Sequence, residues 1–278
     1  MRSEEEDAFS SKHPNLLTRA RGNPEAFHEI LEKDLRTFEI GPDKELFCMP
    51  AAVLIKLSHY FKVLLTGDFA EATSQDPISL PEDSVAAWTL FRYWIYYGDV
   101  RHEKSHKTAY CHVEALAQDL EDFLDLWILA DKTGINILEN LATREVCHIL
   151  YGYSLQKRVL DTNYQDSLSP EVLIPMIETI PPGSHIYTIL MEVVADSLVA
   201  YDHDIFDYSK LLSSKDFVQG YTTRLVFNLQ FGTRLDLAFD PETYLLPEAL
   251  SDPYFDCKIR PFPGLHLAEE AIGRLKER

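Results

Sequence analysis

Four cysteines in 278 residues, none in a CxxC pair, exclude a disulfide scaffold and a cysteine-rich zinc ribbon. Cys48, Cys111, Cys147 and Cys257 are expected as free thiols in a reducing compartment. Positive charge is also scarce: 26 Lys and Arg against 45 Asp and Glu give a formal net charge of −19. A phosphate-backbone or anionic-membrane surface needs clustered cations, so neither nucleic acid nor membrane is expected as a partner. The densest basic run, Arg101 to Lys107, is short and carries Glu103. No apolar run reaches the length that spans a bilayer. The opening MRSEEEDAFSSKH is acidic and polar, unlike a secretory signal or an Arg-rich transit peptide, so cytoplasm or nucleus is the expected location. GxSxG, the Walker A loop and GxGxxG are all missing, and with them the usual marks of serine hydrolases, P-loop enzymes and dinucleotide enzymes. There is no internal repeat and no low-complexity tract.

What is present is a globular composition, 46% hydrophobic and 12% aromatic, in a chain long enough for one large or two modest domains. Residues 1–28 read as a solvated acidic tail. From Asp34 the apolar positions Leu35, Phe38 and Ile40 tend towards alternation, Gly41 to Lys44 make a turn, and Glu45 to Met49 return as a second strand. Val53, Leu54, Leu57, Phe61, Leu64 and Leu65 then recur at helical spacing, with Ser58 as a cap that divides them between two short helices. Thr66-Gly67-Asp68 breaks the second helix, and a polar loop runs to Pro77. Ile78-Ser79-Leu80 is long enough only for an edge strand. Asp83 or Ser84 caps the next helix, whose inner face is expected to hold Val85, Trp88, Leu90, Phe91, Trp94, Ile95 and Tyr97. Asp119 to Ala130 is an amphipathic helix stopped by Gly134, and Ile135 to Leu150 is another.

This order, with Leu57-Ser58-His59-Tyr60-Phe61, Leu65-Thr66-Gly67-Asp68-Phe69-Ala70-Glu71, Ile78-Ser79-Leu80-Pro81-Glu82-Asp83, Trp94-Ile95-Tyr96-Tyr97-Gly98 and Leu129-Ala130-Asp131-Lys132-Thr133-Gly134-Ile135, resembles the BTB/POZ domain in its fungal form. The resemblance covers roughly residues 34–150, the size of one domain. Where the family usually has His, just before the first helix of the pair, this chain has Met49 or Pro50. The resemblance implies a non-catalytic protein–protein interaction module: self-association into a homodimer and, in many members, docking on a cullin scaffold of a ubiquitin ligase with a client held elsewhere. Cullin-binding relatives carry an apolar residue, any residue and an acid after the helix pair, and Phe69-Ala70-Glu71 fits that pattern. Phe69, Glu71 and, at their root, Leu65 are therefore the candidate partner-binding residues. A Phe on a polar loop is poorly placed to bury itself yet suited to a partner's pocket. The plainer alternative is that Phe69 folds back on Leu65 and closes its own helix.

Two other classes stay open. An oligomerisation module of a transcription-linked regulator is one, although no zinc-finger spacing or basic helix accompanies it. A zinc hydrolase is the remote one: His102-Glu103-Lys104-Ser105-His106 matches HExxH, and His112 stands at the third-ligand spacing of the longer motif. That longer motif needs Gly where this chain has Ala109, and Lys104 and Ser105 are polar where an active-site helix packs apolar. An incidental metal site using His102, His106, Cys111 or His112 and a plain exposed His-rich loop are the other readings. No cofactor is expected. Beyond the domain, Ser169-Pro170 starts a helix that ends at Pro181-Pro182-Gly183, Ser184 opens a second, and Asp216 to Phe231 make a third. The expected fold is thus α+β, a BTB/POZ-like helical cluster with a small sheet over residues 29–150. An all-α extension over 165–231 and an irregular segment over 232–278 follow it.

Overall fold

The computed structural model describes residues 34–67, 74, 76–98, 100, 113–160 and 170–200, together with 209, 211–213, 215, 217–219, 221–223 and 226. Its architecture is mixed α+β and mostly helical. Three strands, β1 (Leu35–Ile40), β2 (Glu45–Pro50) and β3 (Ile78–Leu80), form one sheet in the order β2-β1-β3. The helices are α1 (Ala51–Leu57), α2 (His59–Thr66), α3 (Val85–Tyr97), α4 (Val113–Thr133), α5 (Asn136–Leu160), α6 (Pro170–Thr179) and α7 (His185–Ala200), with a 3-10 turn at Leu211–Ser213. The described residues fall into two units. The first holds those up to 100 with Asp125–Ala142, and the second those before Asp125 on α4 together with Thr143 onward.

The first unit starts from a hairpin in the expected place. β1 and β2 pair antiparallel with Leu35 opposite Pro50 and Ile40 opposite Glu45. Side chains alternate across a strand, so Arg36, Phe38 and Ile40 point inward with Phe47 and Met49, while Leu35 and Leu46 are 49% and 59% exposed. The apolar alternation expected of Leu35, Phe38 and Ile40 therefore fails at Leu35, because strict period two puts Arg36 on the inner face. Gly41 sits in the left-handed region (φ 71°), and a Cβ there would lie 3.1 Å from Val85 Cγ2, so both the turn and the approach of α3 need glycine. β3 lies at the sheet edge, as its length suggested, and runs parallel to β1 with Ile78 beside Phe38.

Aromatic rings fill the space under the sheet. Trp88 on α3 lies 4.9 Å from Phe38, 5.9 Å from Phe47 and 6.2 Å from Phe61, and Phe61 stacks on Phe91 at 5.9 Å. Removing any one of these fully buried rings is worth about 3–5 kcal/mol. Ser84 is the helix cap, accepting from Ala87 N–H. Asp83 serves the core instead, since its carboxylate accepts from Trp88 Nε1 at 3.0 Å and pairs with Lys132 at 2.5 Å. A buried indole N–H thereby obtains the partner it requires. Tyr97 does not fill the inner face; it is 58% exposed and stacks on Tyr93, while Ala87 takes an inner position.

Ser58 caps α2 through Phe61 N–H and also donates to the carbonyl of Thr133, fixing the start of α2 to the end of α4. Gly134 (φ 66°) then stops α4. Both long helices exceed expectation: α4 begins at Val113 rather than Asp119, and α5 runs to Leu160 rather than Leu150. In the second unit every residue from Thr143 to Leu150 is buried, polar ones included. Arg144 donates to Glu145 Oε1 at 2.8 Å, and His148 Nδ1 lies 3.5 Å from Glu145 Oε2. α6 opens on Pro170 and buries Leu173, Ile174 and Ile177. Ser184 caps α7 by accepting from Tyr187 N–H. Described residues between Lys215 and Val226 are helical within the third expected helix, and Phe217 is buried there. The expected tail over 1–28 and the segment 232–278 lie outside the described residues.

Candidate functional site

The stretch singled out for partner binding begins where α2 ends. Phe61 and Leu65 face inward on this helix, and Leu65 is 8% exposed. Its last turn is closed tightly: Thr66 Oγ1 donates to the Lys62 carbonyl at 2.7 Å and Gly67 N–H to the Val63 carbonyl at 2.9 Å. Phe69 and Glu71 follow within residues 68–73, which lie outside the described residues.

The chain is fixed again at Ser74. Arg36, 9% exposed on the inner face of β1, donates from Nη1 to the Ser74 carbonyl at 2.9 Å. A buried guanidinium needs charged or polar partners, and this carbonyl is one of them. Ser74 Oγ donates to Asp76 Oδ2 at 2.8 Å and accepts from Asp76 N–H at 3.0 Å, a side-chain-closed turn that leads into β3. The described residues on either side, Gly67 at the end of α2 and Ser74 on the Arg36 guanidinium, are each bonded to the first unit.

Sequence reasoning did not find Arg36 as the partner of Ser74. The signal was its place at an inward register position between two apolar residues of the same strand. Nor did it find the Asp83–Lys132 pair, which joins residues 49 apart in sequence.

His102, His106, His112 and Cys111, the residues of the HExxH reading, lie outside the described residues. Among the described residues no three His, Cys, Asp or Glu side chains come together as metal ligands. His148 is buried against Glu145, and His185 is exposed at the start of α7. Burial pushes the Cys147 thiol well above its ordinary range, and the nearby Glu145 adds to this. Cys48, by contrast, is exposed on the outer face of β2, with its sulfur 3.6 Å from Thr37 Oγ1. No described helix is long and apolar enough to cross a membrane.

No family model matches the chain, and no curated protein matches it.

Proposed function

We propose that this chain is a non-catalytic protein-interaction module, built on a BTB/POZ-like domain over roughly residues 34–150, that docks on a cullin scaffold through Phe69 and Glu71. The observation that carries the reading is the element order around one aromatic core. A hairpin, a helix pair divided at Ser58, a third strand parallel to the first and an aromatic helix follow one another. In sequence, Phe69 and Glu71 stand between α2 and β3. In this reading Phe69 enters an apolar pocket of the scaffold, Glu71 meets a basic residue beside it, and Leu65 holds the loop's root in place. The helices beyond residue 165 take the client.

The test is capture of a purified cullin N-terminal domain by the full chain. Binding by the parent and its weakening in Phe69→Ala, with unchanged circular dichroism, is the expected result. Equal capture by both proteins would refute the docking role.

A further inference from the structure

In a chain carrying 45 acidic residues, positions 46–67, between Glu45 and Asp68, hold no carboxylate, and no other run in the sequence without one is as long. This run contains Lys56, His59 and Lys62 and forms β2 after Glu45 together with α1 and α2. On α2, residues 59, 62, 63 and 66 fall on one side at three- and four-residue spacing. His59, Lys62, Val63 and Thr66 are all exposed, opposite the buried pair Phe61 and Leu65. Lys56, in the last turn of α1, is exposed as well. Among the described residues none of these three basic side chains pairs with a carboxylate, unlike Lys44 with Glu39 and Lys132 with Asp83. Val63 stands among them, 38% exposed.

We propose that the outward face of α2, together with Lys56 in the last turn of α1, is a docking surface for an acidic segment of a partner protein. The physical case is charge complementarity around an apolar contact. A cationic face that pairs with no carboxylate among the described residues meets carboxylates without first breaking such a pair, and Val63 offers a contact for an apolar residue between them. The chain's net charge of −19 repels a polyanion at long range, so an acidic ligand is held only where the local field has the opposite sign. The inference goes beyond the proposed loop contact and does not depend on residues 68–73.

The test uses the full chain and a short fluorescein-labelled peptide of Glu, Asp and Leu, followed by fluorescence anisotropy, with a peptide of Gln, Asn and Leu as control. Saturable binding of the acidic peptide alone is expected, weakened at least about fivefold by Lys62→Glu and further as salt shortens the screening length. Lys215→Glu makes the same change of net charge at an exposed site outside the first unit and is expected to leave binding intact. Phe69→Ala is expected to leave it intact too, so failure of the loop reading and failure of this one are separable. Absence of binding by the parent overturns the proposal, as does equal binding of the neutral peptide or equal loss in Lys62→Glu and Lys215→Glu. Two further results overturn it by naming another occupant. A parent that binds only after removal of residues 1–8 assigns the surface to the chain's own Glu4-to-Asp7 run. A dimer that Lys62→Glu dissociates assigns it to a second copy.

Discussion

Replacing Ser58 with Ala removes one hydroxyl that serves two elements at once. The side chain is 4% exposed, accepts from Phe61 N–H at 3.4 Å and donates to the Thr133 carbonyl. Loss of the cap on α2 costs about 1 kcal/mol. Loss of the donor to Thr133 costs about 1 kcal/mol more, because the carbonyl remains buried. The expected destabilisation is therefore about 2 kcal/mol, which at a urea slope of about 2 kcal/mol/M lowers the midpoint by about 1 M. Tryptophan fluorescence is the assay, since all three tryptophans (Trp88, Trp94 and Trp127) are buried in the first unit. Ser58→Gly separates the two contributions: glycine keeps most of the cap's backbone freedom but not the bond to Thr133, so about half the loss is expected. A midpoint for Ser58→Ala within about 0.2 M of the parent's would refute the claim that this hydroxyl ties α2 to α4.

Burial, and after it the neighbouring Asp122 carboxylate, pushes Asp119 up from 3.8 to about 6. The folded state then keeps a proton that the unfolded chain has already lost, so stability falls as pH rises from 3.8 to about 6 and is level above. Asp119→Asn is expected to flatten that slope and to be more stable than the parent at neutral pH, by urea titration followed with circular dichroism. An unchanged slope would contradict the assigned environment. Thiol labelling is expected to distinguish the cysteines: Cys48 reacts in the native protein, and Cys147 only after unfolding, as read by peptide mass spectrometry. Native labelling of Cys147 would mean that the second unit opens around α5.

Local signals in the sequence mark the elements, and long-range pairings do not follow from them. Ser58, Ser84, Gly134 and Pro170 each carry a backbone role that depends only on near neighbours, and each stands at the boundary the sequence indicates. The parallel pairing of β3 with β1 and the Ser58–Thr133 bond join distant residues, which no periodicity reports. Tyr97 departs from expectation because its phase, not its aromatic character, sets its side of the helix: it lies about 120° from Phe91, about 160° from Ile95 and about 180° from Trp88. The early start of α4 goes unread although Val113 and Leu116 extend the helical period of Leu120 and Leu124 backwards. Burial of Arg144, Glu145 and His148 is equally invisible, since such side chains ordinarily mark an exposed face. The Phe69-Ala70-Glu71 pattern proposed for docking is legible in the sequence, while the bond from Arg36 to Ser74 depends on a strand register that sequence determines only in part.

Isothermal titration of the full chain into a cullin N-terminal domain, with parent and Phe69→Ala compared, tests the interaction-module account most directly. It predicts saturable binding by the parent and a loss of about 1–3 kcal/mol in the variant at unchanged thermal stability. No heat of binding from the parent, or the same affinity from both proteins, would contradict it.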